Sequence, residues 1–393
     1  MKKIKTLKEF DLKEKRVLVR VDFNVPLDEK GEILDDFRIQ KTIPTIKYLQ
    51  KKKAKTILIS HLGGNPTKTP KYSLRKTALK LQELIGQKID FLKDCVGLGI
   101  ERRINRMKTG EIVLLENLRF HKEEKQGDPS FGKALSRLGD FFLNDALSVC
   151  HRFHASVVEV PKYLPSGAGL LLEEEINVLS KILKKPKRPF LLILGGTKVA
   201  SKIKTVPSFL EKADLLLLGT ILSEALLKAK GISLRGVLPS AKIVEIAKEI
   251  ELTNPKLHLP IDVVACLDTK EDYLRQAPLG EVRKEERILD IGEETRNIFA
   301  EMIKTARTIV WAGPLGYIEQ DQFAEGTRFI ADAISRNSRA FRVVGGGETN
   351  FALKKFGLRE KFDFVSTGGG ALLEFLSGQK LPGLEALKKY DHS

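Results

Sequence analysis

Short, continuous apolar runs recur along this chain with helical patterns between them, and that alternation restricts the fold more than any other feature. The runs are "RVLVRV" (16–21), "KTILIS" (55–60), "EIVLLEN" (111–117), "FFLND" (141–145), "PFLLILG" (189–195), "DLLLLG" (214–219), "IDVVACL" (261–267), "RTIVWAG" (307–313), "FRVVGG" (341–346) and "FDFVST" (362–367). Most lack the polar alternation of a strand with one wet face, so they read as strands covered on both sides. Between them, "RIQKTIPTIKYLQKK" (38–52), "SLRKTALKLQELIG" (73–86), "EETRNIFAEMIKTA" (293–306) and "QFAEGTRFIADAIS" (322–335) place apolar residues at helical spacing. The class expected is α/β with largely parallel sheets.

A chain of 393 residues with 42% apolar and 30% charged residues holds enough material for two ordinary domains. The divide falls in "GAGLLLEEEINVLSKILKKPKRP" (167–189), where a long helical pattern gives way to a Lys/Pro stretch. This predicts a first domain over 1–169, a joining helix over 170–184 and a second domain over 185–378. No run approaches the roughly 20 apolar residues of a membrane span, and "MKKIKTLKEFDLKEKRV" lacks the apolar middle of a signal peptide, so a cytoplasmic protein is expected. Cys95, Cys150 and Cys266 lie far apart and form no C-x-x-C pair, which argues against a disulfide framework and against a zinc site. His151 and His154 beside Cys150 have no further ligand at a recognisable spacing.

In open α/β sheets ligands bind beyond the carboxyl ends of the strands. In the first half those positions hold Asp22, Asn24, His61, Arg119 and Arg152, with Arg38 after "LDDF". Guanidinium forks grip phosphate and carboxylate oxygens bidentately, so the set suits a small phosphorylated, carboxylated molecule. Singly, each has a plainer reading: Asp22 or Asn24 shaping a turn, Arg119 pairing with Glu116.

The second half supplies glycines and lysines instead. "LLILGGTKVASK" (191–202) sets Gly195, Gly196 and Thr197 after a strand, with Lys198 and Lys202 four apart on one face of the next helix. The spacing is neither a Walker A loop nor a dinucleotide G-x-G-x-x-G. In "VWAGPLGYIEQDQFAEGT" (310–327) Gly313 begins a tight turn and Glu319 is an acceptor for a ribose hydroxyl. "VGGGETN" offers Gly346, Gly347, Glu348 and Thr349, with Glu348 the expected holder of Mg²⁺. Gly368, Gly369 and Gly370 remove every Cβ from a second turn, letting N–H donors and a helix beginning near Ala371 face a phosphoryl group. The 68 Lys+Arg against 51 Asp+Glu give a formal charge of +17, which reads as a solvated surface, an anionic substrate or a nucleic-acid partner; no aromatic-rich strand or basic recognition helix accompanies it.

With these motifs in order, the sequence resembles the phosphoglycerate kinase family nearly end to end. "RVLVRVDFNVPL", "DDFRIQKTIPTIKYL", "ISHLGG", "LLENLRFHKEE", "LNDALSVCHRFHAS", "LGGTKVASKI", "WAGPLGYIE", "VVGGGET" and "STGGGALLEFLSGQKLPGLEAL" carry the likeness. It implies two Rossmann-like lobes separated by a cleft, the first binding 3-phosphoglycerate through Asp22, Asn24, Arg38, His61, Arg119 and Arg152. The second would bind Mg-nucleotide through Gly195, Lys198, Lys202, Gly219, Glu319 and Glu348, and residues 379–393 would return to the first lobe. Transfer between ATP and the carboxylate of 3-phosphoglycerate is implied, with Arg38, Lys198, Gly369 and Gly370 at the moving group; a monomer without nucleic-acid or membrane partners is expected. The chain departs from the family at Gly64, a usual arginine, at Thr220 and Ile221, usual glycines, and at Ala312, Glu348 and Glu293, usual asparagine, aspartate and proline. A diverged paralogue with altered nucleotide use is the alternative those positions raise, and a basic nucleic-acid-binding protein the more remote one.

Overall fold

The structure, a computed structural model, describes residues 3–232, 240–267, 274–283 and 285–390. The chain up to Leu179, together with the segment from Gln379 onward, forms one compact unit, and Ser180–Gly378 forms another.

The first unit is built on a parallel sheet of β1 (Arg16–Arg20), β2 (Lys55–Ile59), β3 (Asp90–Leu92), β4 (Ile112–Leu115), β5 (Phe141–Asn144) and β6 (Ser166–Ala168), ordered β3-β4-β2-β1-β5-β6. Apart from the first residues of β1, β2 and β5, the central strands β1, β2, β4 and β5 are buried throughout, which is why their sequences run apolar without alternation. Val17, Val19, Ile39, Ile46, Leu58 and Leu114 share one core, joining the sheet to the helix Phe37–Lys51. The helix Leu170–Lys184 is capped by Asp145, which accepts from the Leu171 N–H at 2.9 Å and the Leu172 N–H at 3.3 Å. The C-terminal helix Pro382–Lys389 packs on the first unit, where the Gly383 N–H donates to the Cys150 carbonyl at 2.8 Å. A side chain at Gly383 would strike Val157 and Cys150, so only glycine permits this approach.

The second unit carries the parallel strands β7 (Phe190–Leu194), β8 (Leu215–Leu218), β9 (Leu257–His258), β13 (Thr308–Ala312), β14 (Phe341–Gly345) and β15 (Phe364–Ser366), in the order β15-β14-β13-β7-β8-β9. Counted within the unit this is the arrangement of doubly wound sheets, whose direction of winding reverses between β7 and β13; ligands of such folds gather at that reversal. The run at 261–267 departs from the parallel reading. It forms β10 (Asp262–Cys266) in a separate antiparallel sheet between β11 (Leu274–Pro278) and β12 (Arg287–Ile291). Val263 packs with Leu279 while Cys266 packs with Leu289 and Phe323, so this strand too is covered by two clusters and its run is continuous for that reason.

Candidate functional site

Beyond the carboxyl ends of β1, β2, β4 and β5 the first unit gathers cations. Asp22, buried just after β1, is held on Oδ2 by the Arg38 guanidinium and the Ser148 hydroxyl, while Oδ1 accepts from the Asn24 N–H at 2.9 Å. The Asn24 side-chain oxygen accepts from the Gly63 N–H at 2.8 Å, tying the turn after β1 to the one after β2. Arg119 donates to the Gly63 carbonyl rather than to Glu116, whose carboxylate takes bonds from Ser73, the Leu74 N–H and the Asn117 N–H. Asp22 and Asn24 thus shape these turns, and the Arg119–Glu116 pairing does not form.

Beneath this cluster lies a residue the sequence reading passed over. Arg20 is fully buried, donating from Nε to Ser156 Oγ at 2.9 Å and lying 3.1 Å through Nη2 from His61 Nδ1. Glu124, also fully buried, accepts from Ser156 Oγ at 2.6 Å and stands 3.9 Å from Arg20. Arg20 sits inside an apolar run, where nothing local marks it as inward-facing; its partners come from the helices Lys122–Gln126 and Ala155–Val158. Burial, then the charges of Arg20, Arg119 and Arg38, hold His61 well below its ordinary pKa. His154 is pushed down to about 3 by burial and by Arg119, Arg20, Arg152 and Lys125. Arg119 itself is lowered to about 10 by burial and by Arg20. These closely set cations, with Arg152 exposed among them, give the edge a positive local field.

In the second unit Gly195 follows β7 and Gly313 follows β13, at the reversal of the sheet. Gly195 approaches Gly313 and Pro314 so closely that a Cβ has no room. Gly196 has φ +78°, and a Cβ there would stand 2.9 Å from Lys202 Nζ and 3.0 Å from Glu348 Oε2. An ammonium and a carboxylate thus border a space that glycine keeps open. Lys202 donates to the Gly195 carbonyl, and burial chiefly, with opposing contributions from Glu348 and Lys198, lowers its pKa to about 8. The helix after this turn spans only Val199–Ile203, so Lys198 is its N-cap and not a member of its face; both Thr197 and Lys198 are exposed.

The two glycine triplets meet. Gly346 (φ +101°) caps the helix Gly347–Lys355, Gly369 (φ +52°) caps Gly370–Leu376, and a Cβ on Gly369 would lie 3.8 Å from Gly346 Cα. Thr349 Oγ1 accepts from the Gly313 N–H at 2.8 Å, linking the first of these turns to the reversal point. Gly219 packs on Leu315, and Thr220 donates to the Leu315 carbonyl at 3.1 Å, so the hydroxyl at this departure from the family has a structural partner. Glu319 is exposed in the turn after β13 and makes no polar contact with the glycine–lysine cluster among the described residues. A groove of about 480 Å³ between the helices Glu293–Thr305 and Glu325–Arg336 opens near their carboxyl ends, at the opposite edge of the sheet.

The model of the family described as phosphoglycerate kinase matches residues 7–379. The phosphoglycerate kinase of Dictyoglomus turgidum is 44% identical over 392 residues, covering 98% of this chain and 99% of its own, and that of Aquifex aeolicus is 43% identical over 389 residues with 97% of each covered. Among solved structures, phosphoglycerate kinase from Pyrococcus horikoshii superposes with a TM-score of 0.86 at 31% identity over 97% of this chain and 98% of that one. The enzyme from Coxiella burnetii gives 0.77 at 34% identity over 98% and 99%. With the strand-edge geometry of both units and this agreement over nearly its full length, the chain belongs to the phosphoglycerate kinase family.

Proposed function

We propose that the chain transfers a phosphoryl group reversibly between ATP and the carboxylate of 3-phosphoglycerate, giving ADP and 1,3-bisphosphoglycerate. The observation that carries this reading is the cationic strand edge of the first unit, where Arg20, Arg38, Arg119 and Arg152 surround histidines held neutral by burial and by the charges about them. Such a site suits an acid with two anionic groups, a carboxylate and a phosphate, and offers it no proton.

The acceptor needs none removed, because a carboxylate with an ordinary pKa of about 4 is already ionised at neutral pH. Catalysis then rests on positioning and charge neutralisation, the usual division of labour in phosphoryl transfer. Arg38, oriented by Asp22, would bridge the carboxylate and the phosphoryl group. Lys198 would follow the moving group and Lys202 hold the inner phosphates, while Gly369 and Gly370 line the path with N–H donors. Gly196, Thr197, Gly219, Gly313, Gly346, Gly347 and Thr349 would shape the nucleotide site, with Glu319 on a ribose hydroxyl.

The open space between Lys202 and Glu348 fits a phosphate-bound Mg²⁺, which typically takes one or two protein carboxylates and keeps waters and phosphate oxygens for the rest. Glu348 would hold it; when bound it neutralises charge on the phosphates. With acceptor and donor assigned to different units, transfer needs reacting atoms within about 3–3.5 Å. The helix Leu170–Lys184, which runs from one unit into the other, is the hinge we assign to that approach. We take the working form to be a cytoplasmic monomer without nucleic-acid or membrane partners; no helix among the described residues is long and apolar enough to cross a membrane.

The test is a coupled assay for nucleotide-dependent formation of 1,3-bisphosphoglycerate, run with ATP and with GTP. Product with ATP supports the reading, and absence of product with both nucleotides in a folded preparation overturns it.

A further inference from the structure

We propose that Asp94, Cys95 and His121 form a binding site for a divalent cation of the zinc class, separate from the anion-binding edge. The adjacent parallel strands β3 and β4 pair Leu92 with Leu115, so the turns that follow them are neighbours. Asp94 and Cys95 come from the first turn, and His121 follows the 3-10 turn Leu118–Phe120 after the second. Each residue presents one ligand atom, and the three atoms lie within 4.8 Å of one another. Four-coordinate zinc, with bonds of about 2.0–2.3 Å, sets its donors roughly 3.3–3.7 Å apart, so small side-chain rotations suffice.

The surroundings fit an ion entering from solvent onto a sulfur floor. Cys95 is fully buried and its thiol donates to the Glu116 carbonyl at 2.9 Å, while the Asp94 and His121 side chains are 44% and 26% exposed. Asp94 Oδ1 lies 2.7 Å from His121 Nε2 and accepts from the Cys95 N–H at 2.7 Å, so the carboxylate already orients both partners. Glu116 is excluded as a fourth ligand because its carboxylate oxygens serve Ser73, the Leu74 N–H and the Asn117 N–H. Three protein ligands with a water completing the shell is an established zinc arrangement, and a thiolate–imidazole–carboxylate set disfavours magnesium and calcium. Binding releases the thiol proton to solvent, and the ion ties the two turns together. No spacing rule marks the set in sequence, since its members meet only through strand pairing.

The experiment titrates the full-length, metal-stripped chain with Co²⁺ and reads the near-ultraviolet thiolate-to-cobalt charge-transfer band, then displaces the cobalt with Zn²⁺. One equivalent should produce the band, and Cys95→Ser should abolish it. Zn²⁺ affinity against a chromophoric chelator should fall in His121→Gln by at least the roughly 10–100-fold that loss of an outer-shell partner alone costs. At the same Zn²⁺ concentration the melting temperature should rise more in the wild type than in either variant, with circular dichroism reporting their folding. Absence of the band in the wild type, its persistence in Cys95→Ser, or unchanged Zn²⁺ affinity in His121→Gln overturns the proposal. The last comparison decides the matter even where Cys95→Ser fails to fold.

Discussion

Arg20 Nη2 lies 3.1 Å from His61 Nδ1 in the interior of the first unit. A guanidinium has only donors, so Nδ1 must be the acceptor and the ring is neutral with its proton on Nε2. Burial first, and then the positive charges of Arg20 and Arg119, disfavour protonation of both His61 and His154.

That arrangement predicts a loss of stability in mild acid. A histidine whose folded pKa lies below its ordinary value of about 6.5 lets the unfolded chain take up the proton first, so stability falls as pH drops below that value. For His154, lowered to about 3, the loss continues across the whole interval between. The urea midpoint of the wild type should decline more steeply with falling pH than that of His154→Gln; parallel curves would refute the assignment.

The opposite sign holds at Asp145, the cap of the helix Leu170–Lys184, whose pKa burial raises to about 7. Here the folded chain keeps a proton that the unfolded chain has lost, so the stability contributed by this group is complete below about pH 4 and disappears as pH rises through about 7. Asparagine keeps an acceptor for the Leu171 and Leu172 N–H groups and has no such titration. Asp145→Asn should therefore gain on the wild type from pH 4 to 7 and run parallel above, as read by chemical denaturation at a series of pH values.

Arg38→Ala and Lys198→Ala should each lower turnover by roughly 10²–10³-fold, the scale of removing one preorganised charge donor from a transition state. Lys198 is exposed, so its removal leaves the fold intact. Arg38→Ala also frees Asp22, which retains the Ser148 hydroxyl and the Asn24 N–H as partners. Steady-state kinetics beside thermal melts check both; near-normal turnover in either variant removes that residue from the chemistry.

The buried central strands were legible because a strand covered on both faces must be apolar throughout, as at β7 and β13. The short edge strands β3, β6 and β9 were not: two or three residues such as "SGA" carry no period. The antiparallel sheet escaped for a related reason, since β11 buries only Ala277 and its pairing with β10 depends on long-range register. In the sites, residues that follow strands could be read from position alone, as with Asp22 and Gly195. Arg20, Glu124 and the Asp94–Cys95–His121 group could not, because each acquires its meaning from partners on other elements.

Gly196 separates the effects of shape from those of charge. Its φ of +78° lies where an alanine is strained, and the Cβ would press on Lys202 Nζ and Glu348 Oε2, the far ends of two flexible side chains. Those groups shift aside rather than break the fold, so Gly196→Ala should weaken Mg-ADP binding by at least about tenfold, or 1.4 kcal/mol, and leave 3-phosphoglycerate affinity unchanged. Gly99, with nothing within 4 Å of its Cβ position and an exposed place in the helix Leu98–Asn105, is the matching control: Gly99→Ala should alter neither affinity and should stabilise the helix by about 0.5–1 kcal/mol. Calorimetric titration of both ligands into both variants checks this. Equal nucleotide affinity in Gly196→Ala and wild type would mean that the phosphates lie elsewhere than the space this glycine keeps open.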